Sequence, residues 1–167
     1  MGTHYTGTSD ERRTLDTFIK LLRCADTVSA RANAHLARHG LTVTQFGALE
    51  AIYHLGPMCQ RTLSEKLLKS GGNMTLVVDN LEKQGLVQRI RDTQDRRLST
   101  VHLTDSGREL IVRLFPEHVK GVLDEFSILL PEEQETLGML CRRLGRRHSG
   151  QRNTESERRT NGKNSNN

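Results

Sequence analysis

Between Lys69 and Lys83 the chain carries residues that can meet the edges of nucleic-acid bases without bringing charge to them: Ser70, Gly72, Asn73, Thr75, Leu76 and Asn80. An asparagine amide presents one donor and one acceptor in the spacing that adenine offers in a major groove. A threonine presents a hydroxyl and a methyl, and a leucine apolar contact alone. Met74, Val77, Val78 and Leu81 recur at i, i+3, i+4 and i+7, so the segment is expected to be a helix with that apolar face turned inward. Asn73, Thr75, Leu76, Asn80 and Lys83 are then left facing outward. Ser70 suits the helix N-cap, and Gly71-Gly72 allows close approach of the backbone to a phosphate at the helix start. Arg61, Lys66 and Lys69 precede it, free to reach phosphate. A second group follows, in which Asp92, Asp95, Arg96 and Arg97 lie between two alternating runs, Leu86 to Arg91 and Leu98 to Leu103. A guanidinium at the tip of such a hairpin can enter a narrow, A·T-rich minor groove. Arg89 and Arg91 fall on one face of the first run and are expected to bracket the sugar-phosphate backbone, whereas Asp79 has the wrong sign for phosphate and should pair with a nearby arginine.

These groups need a mount, and the flanking sequence supplies one. Arg61 to about Leu68 is expected to be a short helix with Leu63 and Leu67 inward, Gly85 a left-handed residue that ends the second helix, and Met58 to Gln60 a brief third strand. The fold class is mainly α with a small β-hairpin wing, a winged helix-turn-helix over 41–104 flanked by further helices. Residues 1–10 are expected to be flexible. Residues 11–40 should form one dimerisation helix of nearly thirty residues, about 40 Å long, carrying Leu15, Phe18, Ile19, Leu22, Ala25, Ala32 and Leu36, with Ser9 and Arg12 as half a capping box. Thr42 with Gln45 caps the next helix, whose buried face is Phe46, Leu49, Ile52 and Tyr53, and Gly56-Pro57 ends it. Residues 105–147 hold two C-terminal helices. The first is capped by Thr104 and should kink or break at Pro116; the second is opened by Pro131 and closes the dimer base with Leu137, Leu140 and Leu144. Residues 148–167 are polar and without apolar period, a disordered basic tail.

The pattern Leu63 to Leu67, Met74 to Leu81, Gly85-Leu86-Val87, Arg89, Asp92-x-x-Asp95-Arg96-Arg97 and Val101-x-Leu103-Thr104-x-x-Gly107 resembles the MarR family of winged-helix transcription regulators, over about Thr14 to Gly145. The resemblance implies a homodimer bound to double-stranded DNA, with Arg97 inserted in the minor groove and Asp95 orienting it. It also implies a crevice that accepts small aromatic anions, with His35, Phe46, Tyr53 and His54 as its expected ligand-binding residues. KSGGNMTLVVDNLE and TFIKLLRCADTV are most similar to a branch of the family responding to phenols, quinols and quinones. Many members carry arginine at the positions of Leu76 and Asn80, so guanine reading by this helix is not expected here.

The formal charge of +5 is uneven. From Arg142 onward eight Lys/Arg face two acids, while residues 61–97 hold eight basic and five acidic residues and residues 98–141 three basic and eight acidic. The body is therefore polarised, with its positive charge on the proposed DNA-binding segment. No apolar run has membrane-spanning length and no signal segment opens the chain, so a cytoplasmic protein is expected. No nucleotide loop, paired carboxylate or nucleophile motif points to an enzyme, and no cofactor is expected. Three widely spaced cysteines form no disulfide framework. Cys24 and Cys59 are redox candidates, although Cys24 and Cys141 read more simply as buried small residues. A zinc reading would recruit Cys24, His35, His39 and His102, with no carboxylate nearby to complete it. Two other readings stay open: a winged-helix module for protein contacts, and a thiol- or zinc-sensing regulator of the same fold.

Overall fold

The computed structural model describes residues 2–91 and 99–146. In chain order these form α1 (Ser9–Ala32), a 3-10 turn (Ala34–His39), α2 (Val43–Leu55), β1 (Met58–Cys59), α3 (Gln60–Lys66), α4 (Gly71–Lys83), β2 (Val87–Arg91), β3 (Ser99–Leu103), α5 (Asp105–Phe126) and α6 (Pro131–Gly145). The chain divides into two compact units, residues 1–125 and residues 126–167.

The first helix starts and stops elsewhere than the sequence suggested. Its cap is Thr8, not Ser9: the Thr8 hydroxyl accepts from the Glu11 amide and the Glu11 carboxylate accepts from the Thr8 amide, a complete capping box. Before it, the Thr3 amide donates to Asp16 Oδ1. The helix ends at Ala32 because Asn33 turns its own side chain back onto the Ser29 carbonyl, at 2.8 Å, and the chain tightens into a 3-10 turn closed by Gly40 at φ 65°. The expected continuous helix to Gly40 is thus cut short, since an asparagine can satisfy the last carbonyls of a helix as well as extend it. Leu15, Phe18 and Leu22 remain exposed along α1.

The core of the first unit lies under α2. Phe46, Ala48, Leu49 and Ile52 are buried there with Leu63 of α3, Met74, Val78 and Leu81 of α4, Val87 and Val101 of the sheet, and Ile111 and Leu114 of α5. Each large side chain contributes roughly 1.5–3 kcal/mol through burial. The sheet is antiparallel with order β1-β3-β2, pairing Met58 with Val101 and Val87 with Leu103.

Helix α5 is seated against the end of α4. Thr104 donates its hydroxyl to the Gly85 carbonyl at 2.6 Å and its amide to Leu86 O at 3.1 Å, and accepts from the Gly107 amide at 3.0 Å. Gly107 approaches so closely that a Cβ there would stand 1.9 Å from the Leu86 carbonyl oxygen. The broken turn expected at Pro116 is absent; α5 runs through it as one helix. Two ion pairs tie α5 to the α1 end of the unit: Arg31 grips Glu125 with two donors, at 2.9 and 2.6 Å, and Arg38 pairs with Glu117. The Arg31 hydrogen bonds hold the Glu125 carboxyl below its ordinary range.

In the second unit, α6 begins at Pro131 after the Glu133 carboxylate accepts the Leu130 amide at 2.9 Å. None of its residues is buried, and Leu137, Met139, Leu140 and Leu144 are exposed. Among the described residues no helix is long and apolar enough to cross a membrane.

Candidate nucleic-acid interface

Helix α4 is held on three sides. Its inner face, Met74, Val77, Val78 and Leu81, is buried as its spacing predicts. At its start the Ser70 hydroxyl accepts from the Asn73 amide at 3.4 Å. At its end Gly85, with φ 70°, lets the Gly85 amide reach Glu82 O and the Leu86 amide reach Leu81 O, a Schellman closure that also launches β2. The preceding turn has the same form with a less suitable residue. Leu68 sits at φ 51° so that its own amide reaches Glu65 O and the Lys69 amide reaches Ser64 O. Its side chain is 91% exposed. Ser64, which the sequence did not single out, is buried and donates to Lys69 O at 2.5 Å, bracing the turn that presents α4.

The outer face carries Gly71, Gly72, Asn73, Thr75, Leu76, Asn80 and Lys83, all exposed. Lys66 and Lys69 are exposed beside it, and Arg61 is exposed with its guanidinium on Glu65. A Cβ on Gly71 or Gly72 would meet nothing, so the fold itself makes no demand for glycine there. The open space is at the surface a duplex would approach.

Arg89 departs from its expected role. Alternation along β2 puts Arg89 on the face of buried Val87, toward α4, and there it is captured. One guanidinium nitrogen reaches Glu82 and another reaches Asp79, each at 2.5 Å, while the Arg89 backbone amide donates to Glu82 at 3.0 Å. Partial burial opposes its charge, yet the two carboxylates hold its pKa above the ordinary arginine value. Asp79 is accordingly the structural partner anticipated for it. Arg89 is a clamp between β2 and α4 rather than a free phosphate ligand; Arg91 is exposed. Asp95, Arg96 and Arg97 lie outside the described residues.

Gln60, at the start of α3, was missed by sequence reasoning. Its amide nitrogen donates to the Thr75 hydroxyl at 2.6 Å and its oxygen accepts from Arg89 at 3.4 Å. A half-buried glutamine at a helix start carries no pattern that would have marked it.

The ligand-binding expectations divide into two groups. A cavity of about 540 Å³ is lined by Ser29, Asn33, Phe46, Glu50, Lys69 and His118, among others, and Tyr53 and His54 are not in that lining. Those two form a separate ring cluster, with Tyr53 edge-on to His54, His54 edge-on to Phe115, and Arg108 over the Tyr53 ring. Phe46 lies 4.7 Å from His118, and His35, buried behind them, lies 5.6 Å from His118 between ring centroids. His35 Nδ1 pairs with the Ala32 carbonyl, while His35 Nε2 and His118 Nδ1 are buried without a partner. Burial pushes the His118 pKa below its ordinary value, Glu50 working against that shift and His35 with it. His118 also escaped the sequence reading, although it extends the Ile111, Leu114, Phe115 stripe by one helical step.

Cys24 and Cys141 are exposed in the single chain, not buried as expected, because the faces of α1 and α6 that bear them have no covering element within their own units. Cys59 is half-buried, and hydrogen bonds from Thr62, whose hydroxyl lies 3.2 Å from the sulfur, hold its thiol below the usual pKa. The zinc set does not assemble: His102 pairs with Thr100, His39 is exposed, and among the described residues no three His, Cys, Asp or Glu side chains are grouped to hold a metal.

This geometry has close counterparts. The MarR family pattern matches residues 41–99. The chain is 33% identical over 133 residues to the HTH-type transcriptional regulator MhqR of Bacillus subtilis, covering 80% of this chain and 92% of that one. A probable transcriptional regulator from Pseudomonas aeruginosa superposes with a TM-score of 0.69 at 31% identity, covering 77% of this chain and 95% of that one. The transcriptional regulator PcaV of Streptomyces coelicolor, solved in complex with its natural ligand, superposes with a TM-score of 0.69 at 26% identity, covering 76% and 90%.

Proposed function

The chain belongs to the MarR family of DNA-binding transcriptional regulators, and from that premise we propose that it acts as a homodimeric, effector-responsive repressor of a pseudo-palindromic operator. The observation that carries this reading is α4: its buried face fixes it in the fold while Asn73, Thr75, Leu76 and Asn80 stand exposed beside Lys66, Lys69 and Lys83. Two such helices must lie about 34 Å apart, one helical turn of B-DNA, to enter successive major grooves. The exposed apolar residues of α1 and of α6 support a second copy of the chain as the means of holding that separation. Arg96 and Arg97 serve in this reading as minor-groove contacts.

The effector site proposed is the cavity at Phe46 and His118, and the ligand a small phenol or quinone. Two buried ring nitrogens without partners, on His118 and on His35 behind it, support an occupant able to hydrogen-bond to an imidazole. Such a ligand would release DNA only through its different affinities for DNA-competent and DNA-incompetent dimers. A second reading, thiol modification, rests on Cys59, whose hydroxyl partner favours the thiolate.

One titration tests both. Duplexes enriched from a random library are titrated by fluorescence anisotropy, with catechol, hydroquinone or benzoquinone added to the wild type, to His118→Leu and to Cys59→Ser. Release by catechol that is lost in His118→Leu supports the pocket; release by benzoquinone that is lost in Cys59→Ser supports the thiol. A library without two-fold symmetric enrichment, or a monomer at micromolar concentration in sedimentation, refutes the homodimeric operator.

A further inference from the structure

The side-chain relay from β2 through α3 to α4 decides what Thr75 can read. Arg89 has only donors, so the Gln60 atom facing it, 3.4 Å away, must be the amide oxygen. That fixes the other end of the amide as the nitrogen, which donates to the Thr75 hydroxyl at 2.6 Å. The hydroxyl is therefore an acceptor toward Gln60, and its single proton goes to the Gly71 carbonyl at 3.1 Å. A hydroxyl whose proton is committed within its own helix cannot donate to O6 or N7 of guanine, N7 of adenine or O4 of thymine. What Thr75 still offers is its methyl and one acceptor lone pair, neither of which can satisfy the acceptors of guanine, and its neighbour Leu76, 65% exposed, adds apolar surface.

We propose that Thr75 is a specificity-determining residue that recognises the C5-methyl group of thymine in the major groove, and that Gln60 is the positioning residue that occupies one acceptor site of its hydroxyl and leaves its proton directed at Gly71. Asn73 and Asn80, on the outer face of the same helix, can take adenine through their amides. The recognition surface is then selective for A·T pairs and built from neutral groups. This rests on the reading of α4 as the DNA-reading helix and adds to it the chemical group that is read.

The test uses the full-length protein and a duplex enriched by it from a random library, resynthesised with uracil at each thymine in turn. Uracil keeps every Watson-Crick group and removes only the methyl. At one thymine per half-site the wild type should bind the uracil duplex about fourfold more weakly, the scale of one buried methyl. Thr75→Ser, which keeps the hydroxyl and deletes the methyl, should no longer distinguish the two duplexes. Thr75→Val, which keeps the methyl and puts a second one in place of the hydroxyl, should still distinguish them. Gln60→Ala frees an acceptor lone pair on the Thr75 hydroxyl, whose proton stays on Gly71. It should broaden base preference at that position toward cytosine or adenine, whose exocyclic amines can donate to that lone pair, while the dependence of affinity on salt stays as in the wild type, a result that loss of folding would not produce. Enrichment followed by equal binding of all thymine and uracil duplexes overturns the proposal, as does discrimination that survives in Thr75→Ser. A library that yields no enriched duplex overturns the DNA-reading role of α4 itself, and is thereby distinguished from failure of the methyl contact alone.

Discussion

Removing the clamp at Arg89 together with its carboxylates separates two roles that a single substitution confuses. Arg89 faces Asp79 and Glu82 at 2.5 Å each, so the cluster carries one positive and two negative charges and presents a net negative group near the proposed duplex. If Arg89 instead contacted phosphate, replacing it would make the plot of log affinity against log salt shallower by about 0.9 per protomer, or about 1.8 for a dimer. Arg89→Ala alone leaves two facing carboxylates, which weaken DNA binding by repulsion and lower stability by roughly 1–2 kcal/mol; the partial exposure of the pairs keeps this below the cost of breaking a buried bridge. The triple variant Arg89→Met, Asp79→Asn, Glu82→Gln removes the cluster whole. Its salt slope is expected to equal or exceed that of the wild type, because a net negative charge has left the DNA-facing region. Fluorescence anisotropy at five salt concentrations, with urea unfolding as a control on the fold, measures both quantities. A slope shallower by about 1.8 in a folded triple variant would show that Arg89 leaves its carboxylates for phosphate, and the clamp assignment would be wrong.

Other consequences can be read from single side chains. Leu68→Gly should stabilise the protein by about 0.5–1 kcal/mol, because a left-handed leucine is strained and this one buries almost nothing; Leu68→Ala, which retains a Cβ, should give no comparable rise in the urea midpoint, and a loss in the glycine variant would contradict the strain. Gly107→Ala should cost about 3 kcal/mol, since its Cβ would be driven into the Leu86 backbone and α5 would have to move off the end of α4; near-wild-type unfolding would disprove that close approach. Burial depresses the His118 pKa in the folded state, so the unfolded chain takes up the proton first. Stability should therefore be unaffected by this group above the ordinary histidine pKa near 6.5, fall as pH drops below it, and level off below the folded value. His118→Asn should flatten that part of the profile, and an unchanged profile would count against the assignment. Thr62→Val should raise the Cys59 pKa and slow its alkylation at pH 7.5, measured by mass spectrometry, while leaving alkylation of exposed Cys24 unchanged.

What the sequence revealed and what it hid follow a physical division. The inner face of α4, the Thr42 capping box and the Gly85 closure were legible because each depends on residues within a few positions of one another. The end of α1 was misjudged at Asn33, where periodicity continued but a side chain competed for the helix's last carbonyls. Arg89 was misassigned for a different reason. Alternation placed it correctly on one sheet face, but only the tertiary fold shows that this face is covered by α4 and its acids. Gln60 and His118 act across elements distant in sequence, and such partnerships leave no local trace; Ser64 bonds a carbonyl only five residues on, but a serine within a short helix carries no pattern that marks that role. The separation of Tyr53 and His54 from the cavity at Phe46 likewise depends on how α2 is laid against its neighbours, which side-chain type cannot disclose.

The distribution of charge on the interface suggests how affinity and selectivity are divided. The side chains on the outer face of α4 best placed to read bases are neutral, and Arg89 beside them is neutralised by Asp79 and Glu82, so long-range attraction must come from other groups, among them Lys66, Lys69, Lys83, the exposed Arg91, the helix start at Ser70 and the proposed contacts Arg96 and Arg97. A protein arranged this way gains attraction from phosphate without gaining preference, and gains preference from short-range groups that contribute little at a distance. Selectivity then depends on how accurately α4 is held, which is why a buried serine, a strained leucine and a glutamine relay surround it. The same accuracy must extend to the spacing of two copies. α6 buries no residue within its own unit, and a helix of 15 residues is marginal without tertiary packing. The proposed dimer therefore supplies more than a second reading head. Covering α6 would stabilise the helix and fix the operator spacing through one interface, so that an effector shifting that interface acts on DNA binding without touching the base-reading residues.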